Sequence, residues 1–101
     1  MKYNKLVRDN IPEVIRIKGK VPVTHIADDR EYGKKLEEKL QEEVDEFLFA
    51  KSEEEYADVL EVLEAIATFR KLDGKTIQEV KKSKAEKTGR FLKRIILDEL
   101  K

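Results

Sequence analysis

The sequence predicts a mainly α-helical fold: a helical bundle with a small two-stranded β element. Three observations predict it. Two long stretches, Asp28 to Ala50 and Ser52 to about Asp73, repeat apolar residues with a helical period. Capping side chains and glycines punctuate the chain where helices should start and stop. Two short apolar segments, Val21–Ile26 and Phe91–Leu97, stand outside those helices, and each would give the other a pairing partner.

In order along the chain, Asp9-Asn10-Ile11-Pro12-Glu13 reads as a helix start, with a capping side chain and proline in the first turn. That helix should run to about Lys18 and stop at Gly19. Val21-Pro22-Val23-Thr24-His25-Ile26 is β-branched and alternating, and Pro22 confines it to an edge. His25 is then structural or exposed. Asp28-Asp29 caps a helix to about Ala50. Ser52-Glu53-Glu54-Glu55 has the form of a capping box and opens a second long helix, ending near Asp73-Gly74. Thr76-Ile77-Gln78-Glu79 is another capping box, starting a helix to about Thr88-Gly89. Phe91–Leu97 suits a helix or a strand, and pairing with Val21–Ile26 favours the strand.

A chain of 101 residues makes one domain, residues 1–101. With 40% hydrophobic and 44% charged residues, its core must be thin, so a homodimer or higher homo-oligomer is expected to complete it. There is no cysteine, which excludes disulfides and thiolate zinc sites. The start of the chain lacks the apolar run of a signal peptide and no segment is as long as a membrane span, so the expected location is cytoplasmic, without a membrane partner. Net charge is zero but unevenly spread: residues 1–27 carry +4, residues 28–64 carry −10, and residues 65–101 carry +6. An acidic middle between basic ends suits a metal-bound polyphosphate, which needs both signs close together. Solvated helix faces and inter-helix ion pairs would produce the same pattern.

Helical wheels locate the anomaly. In the first long helix, Leu36, Leu40, Val44, Phe47 and Leu48 form an apolar stripe, and Glu43 falls at its edge, with Lys39 and Glu46 a little further round. In the second, Val59, Leu60, Val62, Leu63, Ile66 and Phe69 form a broad apolar face. Glu55 lies within it and Asp58 beside it. Two antiparallel helices joined by a short turn would bring Glu43, Glu46, Glu55 and Asp58 together. Converging carboxylates repel one another and resist desolvation, and a divalent cation relieves both penalties. Glu55 would equally serve as the far member of the Ser52 capping box, and Glu42, Glu43 and Glu46 would equally pair with cations on a wet surface.

Glu43-Val44-Asp45-Glu46 and Glu55-Tyr56-Ala57-Asp58 form an E-x-x-E motif followed by E-x-x-D, preceded by Glu42. This ordered pair resembles the signature of the all-α nucleoside triphosphate pyrophosphohydrolases, which include MazG, the dimeric dUTPases and phosphoribosyl-ATP pyrophosphohydrolase. The opening Tyr3-Asn4-Lys5-Leu6-Val7-Arg8-Asp9-Asn10-Ile11-Pro12 and the closing Glu86-Lys87-Thr88-Gly89-Arg90-Phe91 resemble a compact MazG-like, phosphoribosyl-ATP-pyrophosphohydrolase-like subgroup. The resemblance implies Mg²⁺-dependent cleavage between the α- and β-phosphates of a nucleoside triphosphate-like substrate, in a house-cleaning role, with Mn²⁺ able to substitute. It assigns Glu43, Glu46, Glu55 and Asp58 to the metal, with Glu42 and Glu43 as the catalytic pair and Glu42 orienting the attacking water. Lys39, Lys87, Arg90, Lys5 and Arg8 would contact phosphate, although Arg8-Asp9 also reads as a salt bridge with a helix cap. Tyr32, Tyr56, Phe47 and Phe69 read as core rather than base-stacking groups, and Tyr3 stays open between core and contact with a base. Only eight residues separate Glu46 from Glu55, which demands a tight turn.

The alternative is a non-enzymatic helical interaction module whose acidic middle docks a basic partner. A nucleic-acid role for Lys81, Lys82, Lys84, Lys87, Arg90, Lys93 and Arg94 is disfavoured by zero net charge and a lack of interleaved aromatics, so no stable nucleic-acid complex is expected.

Overall fold

The computed structural model describes residues 2–101 and is mainly helical. Its helices are α1 (Ile11–Ile17), α2 (Asp29–Ala50), α3 (Glu53–Phe69) and α4 (Gly74–Thr88). They fall into two compact units, one ending at Arg70 and the other comprising Lys71–Lys101.

The first unit is built on an antiparallel hairpin of α2 and α3. Asp28 caps α2 by accepting a hydrogen bond from the Glu31 amide at 2.8 Å, and Ser52 caps α3 by accepting from Glu55 N–H at 3.4 Å. Between the two helices stand only Lys51 and Ser52. Lys51 takes the left-handed conformation at φ 52°, and its N–H closes α2 on the Phe47 carbonyl. The helices meet along a single seam spaced alternately by three and four residues. Gly33, Leu36, Leu40, Glu43 and Phe47 line it on α2, and Glu55, Val59, Val62, Ile66 and Phe69 line it on α3, all buried or half-buried. Leu36 is 2% exposed and Val62 8%. Gly33 lets the helices close up, because a Cβ there would sit 3.1 Å from the Phe69 ring. Tyr32 packs edge-on against Phe69, and Phe47 edge-on against Tyr56.

This seam is narrower than the apolar faces read from the wheels. Leu48, Leu60 and Leu63 are exposed. Two helices in contact cover one stripe each, and a broader apolar face needs a third element against it.

The expected β element is not present: among the described residues there is no strand. Val21–Ile26 is irregular, with its apolar side chains largely exposed. After Phe91 the chain turns, with Arg94 N–H bonded to the Phe91 carbonyl and Arg94 at φ 63°, which breaks the alternation a strand requires. Three helix ends also differ from expectation. Asn10 precedes α1 without a side-chain cap, so proline in the first turn is the starting signal there. The α3 helix stops at Phe69, where Lys71 adopts φ 59°. Asp73, not Thr76, caps α4, accepting from the Thr76 amide at 2.9 Å and the Thr76 hydroxyl at 2.8 Å. Those two bonds hold the Asp73 carboxyl below its ordinary value. Among the described residues no helix is long and apolar enough to cross a membrane.

Candidate metal centre

Glu43 and Glu55 occupy seam positions near the closed end of the hairpin, where an apolar side chain would otherwise stand. Asp58, one turn beyond Glu55, joins them. One carboxylate oxygen from each of the three lies within 4.8 Å of the others. Glu43 is 6% exposed. Its Oε1 receives Lys39 Nζ at 3.2 Å, while Oε2 is buried with no hydrogen-bond partner. Such an orphaned oxygen is costly, because its hydration has been lost without replacement.

Like charges at short range leave their mark on the neighbours. Loss of solvent, then the charge of Asp58, pushes the Glu55 carboxyl above its ordinary value. The charge of Glu43, then loss of solvent, does the same to Glu46. Glu46 is exposed on the flank of the seam and stands outside the trio of converging oxygens. The Ser52 amide-capping bond is made, yet the Glu55 carboxylate lies with Glu43 and Asp58, so capping does not account for it.

Cations from the segment before α1 cross the face of the hairpin. Arg8 donates to Asp58 at 2.7 Å and approaches Glu61 at 3.6 Å, and the Asp58 bond holds the guanidinium more firmly protonated. Its partner is thus 50 residues away rather than the adjacent Asp9. Lys5 donates to Glu42 at 3.2 Å, and Lys39 bridges Glu42 and Glu43. These pairs are partly exposed and each contributes about 1 kcal/mol or less to stability, so their interest is positional.

Of the residues singled out in the sequence, Glu43, Glu55 and Asp58 converge, and Glu42, Lys39, Lys5 and Arg8 surround them. Lys87, in the last turn of α4, and Arg90, just after Gly89, belong to the second unit. Sequence reasoning missed Lys35, which donates from Nζ to the Asn4 carbonyl at 2.6 Å and lines a cavity of about 220 Å³ between residues 3–6 and α2. The available signal was the four-residue spacing Lys35, Lys39, Glu43 on one side of α2. His25 pairs with Glu31 at 2.8 Å, a local surface contact.

A pocket of three oxygen donors with an orphaned buried lone pair fits a hard divalent cation such as Mg²⁺ or Mn²⁺, which takes oxygen ligands and keeps several waters. No family model matches the chain, and no solved structure matches it. A protein of Mycolicibacterium smegmatis (strain ATCC 700084 / mc(2)155), itself described as uncharacterized, is 52% identical over 42 residues, covering 42% of this chain. The match spans 43% of that relative's length, so less than half of either chain is shared.

Proposed function

We propose that this protein is a Mg²⁺-dependent nucleotide pyrophosphohydrolase of the MazG-like, phosphoribosyl-ATP-pyrophosphohydrolase-like kind. It would hydrolyse nucleoside triphosphate-like molecules between the α- and β-phosphates, to a monophosphate and pyrophosphate, in a cytoplasmic house-cleaning role. The single observation that carries this reading is the buried Glu43 carboxylate, which converges with Glu55 and Asp58 and whose Oε2 has no hydrogen-bond partner among the described residues. A helix seam has no packing reason to hold two glutamates, since leucine would serve it better.

In this reading Glu43, Glu55 and Asp58 hold the cation, with Glu46 as a flanking carboxylate. Bound Mg²⁺ would supply a water of lowered pKa and neutralise charge on the phosphates. Glu42 would orient that water and accept its proton. Lys39, Lys5 and Arg8 would shield phosphate oxygens, and Lys87 and Arg90 are the candidates for the same task in the second unit. A homodimer or larger homo-oligomer would cover Leu48, Leu60 and Leu63, which the hairpin leaves exposed.

The test is pyrophosphate release from a panel of ordinary and modified nucleoside triphosphates, with and without Mg²⁺. Release that requires Mg²⁺ and is lost in Glu43→Gln and Asp58→Asn is the expected result. Folded protein that binds neither Mg²⁺ nor Mn²⁺ in calorimetry would leave the interaction module as the better reading.

A further inference from the structure

The cavity beside the carboxylates is formed by residues 3–6 lying over Lys35, Glu38, Lys39 and Glu42 of α2. Three lysines, Lys5, Lys35 and Lys39, line it beside two glutamates, Glu38 and Glu42, so its lining residues sum to one net positive charge. Two of those lysines are drawn in from solvent: the Lys39 side chain is 18% exposed and the Lys35 side chain 23%. Withdrawing ammonium groups from water is unfavourable unless oxygens replace it, and lower local polarity strengthens each contact they make. Both lysines retain donor capacity. Lys35 uses one strong bond, to the Asn4 carbonyl at 2.6 Å, and a longer one to Glu38 at 3.4 Å, out of three N–H groups. Lys39 has one contact at 3.2 Å and a longer one at 3.6 Å.

The placement is directional. Lys35, Lys39 and Glu43 succeed one another at intervals of four, a rise of about 6 Å per step along α2. A polyphosphate anchored at the carboxylates has cations on the side leading toward the start of α2. A second hollow, bordered by Phe47, Tyr56 and Leu60, is lined by a single lysine, Lys51, beside Glu53, and so carries no net positive charge. Lys5 closes the cavity from above, on a segment without helix or strand, and it is tied to the hairpin by its bond to Glu42.

We propose that this cavity is the subsite for the pyrophosphate portion of the substrate, with Lys35 as a direct phosphate ligand and the Lys5-bearing segment as its cover. The proposal rests on the pyrophosphohydrolase reading for its biological sense and fixes the orientation of the substrate: distal phosphates toward Lys35, nucleoside away from it. Phosphate oxygens would take the free N–H groups of Lys35 and Lys39 and draw Lys5 from Glu42.

Calorimetry with inorganic pyrophosphate, in the presence and absence of Mg²⁺, tests the subsite, and titration with Mn²⁺ alone tests the carboxylates. Loss of one charge-assisted hydrogen bond is worth a factor of about ten or more in affinity. The expected result is that Lys35→Gln weakens pyrophosphate binding about tenfold and leaves Mn²⁺ binding unchanged, while Lys35→Arg retains most of the affinity. Circular dichroism matching the parent chain establishes that each variant is folded. Pyrophosphate bound equally well by the parent and Lys35→Gln, or not bound by the parent, overturns the subsite. Absent Mn²⁺ binding, with pyrophosphate binding still sensitive to Lys35, sinks the metal reading and keeps the subsite.

Discussion

Glu43 sets two demands against each other within one side chain. Its position in the seam calls for an apolar group, and its buried Oε2 has no donor among the described residues. Replacing a buried ion pair by well-packed apolar residues is often neutral or stabilising by about 1–4 kcal/mol, and Lys39 keeps Glu42 as a partner once Glu43 is gone. Glu43→Leu is therefore expected to raise the denaturation midpoint of the metal-free protein while abolishing Mn²⁺ binding, which urea titration and calorimetry would read separately. A Glu43→Leu variant less stable than its parent would mean the carboxylate is already satisfied. Glu55 and Glu46 carry the same conflict into pH dependence. Both carboxyls are raised in the folded chain, so the folded state holds their protons to higher pH than the unfolded state does. Their contribution is fully favourable below the ordinary glutamate value of 4.5 and is lost as pH rises through the raised values. Melting temperatures of metal-free protein should reflect this decline, and saturating Mg²⁺ should flatten it by removing the repulsion.

At the scale of the element, the hairpin depends on its caps and on one close approach. Removing the Ser52 hydroxyl that receives the Glu55 amide should cost about 0.5–2 kcal/mol, so Ser52→Ala is expected to lower the urea midpoint. Gly33→Leu should cost about 1–3 kcal/mol, because the Phe69 ring already stands where the new side chain would begin. Gly33→Leu falls away from the carboxylates and should lower stability with Mn²⁺ affinity retained, whereas Ser52→Ala loosens the turn that carries Glu55. The long helices are legible in the sequence because Asp28, Ser52 and the apolar period all point the same way. The expected strands do not form among the described residues, because a strand exists only through a partner, and the β-branched pattern of Val21–Ile26 and Phe91–Leu97 does not specify one. The α4 cap lies three residues before the expected one, since Asp73 and Thr76 are both good caps and Asp73 receives both Thr76 donors.

The whole molecule couples its stability to what it binds. A ligand taken only by the folded state adds about 2.7 kcal/mol at a hundredfold excess over its dissociation constant. Divalent cations should therefore raise the melting temperature of the parent chain and leave that of Glu43→Leu unmoved, a comparison made by scanning calorimetry. The carboxylates are readable in the sequence because Glu55 and Asp58 interrupt an apolar face. Their cationic cover is only half readable: Lys39 shares the helix with Glu43, but the Arg8–Asp58 pair joins residues 50 positions apart, which local periodicity cannot encode. Lys35 is hidden for a related reason, since its bond to the Asn4 carbonyl depends on where the first residues cross α2.

The two-residue link Lys51–Ser52 turns the site into a matter of counting. Each residue added to a helix rotates all later positions by about 100°. One residue inserted at the link, if absorbed by the end of α2 or the start of α3, would swing a helix's whole set of side chains past its neighbour. Glu55 and Asp58 would leave Glu43 together, while Val62 would leave the stripe that buries it. Substitutions in the link cost at most a cap or a strained turn and leave the register intact, so the number of residues there is held more tightly than their identity.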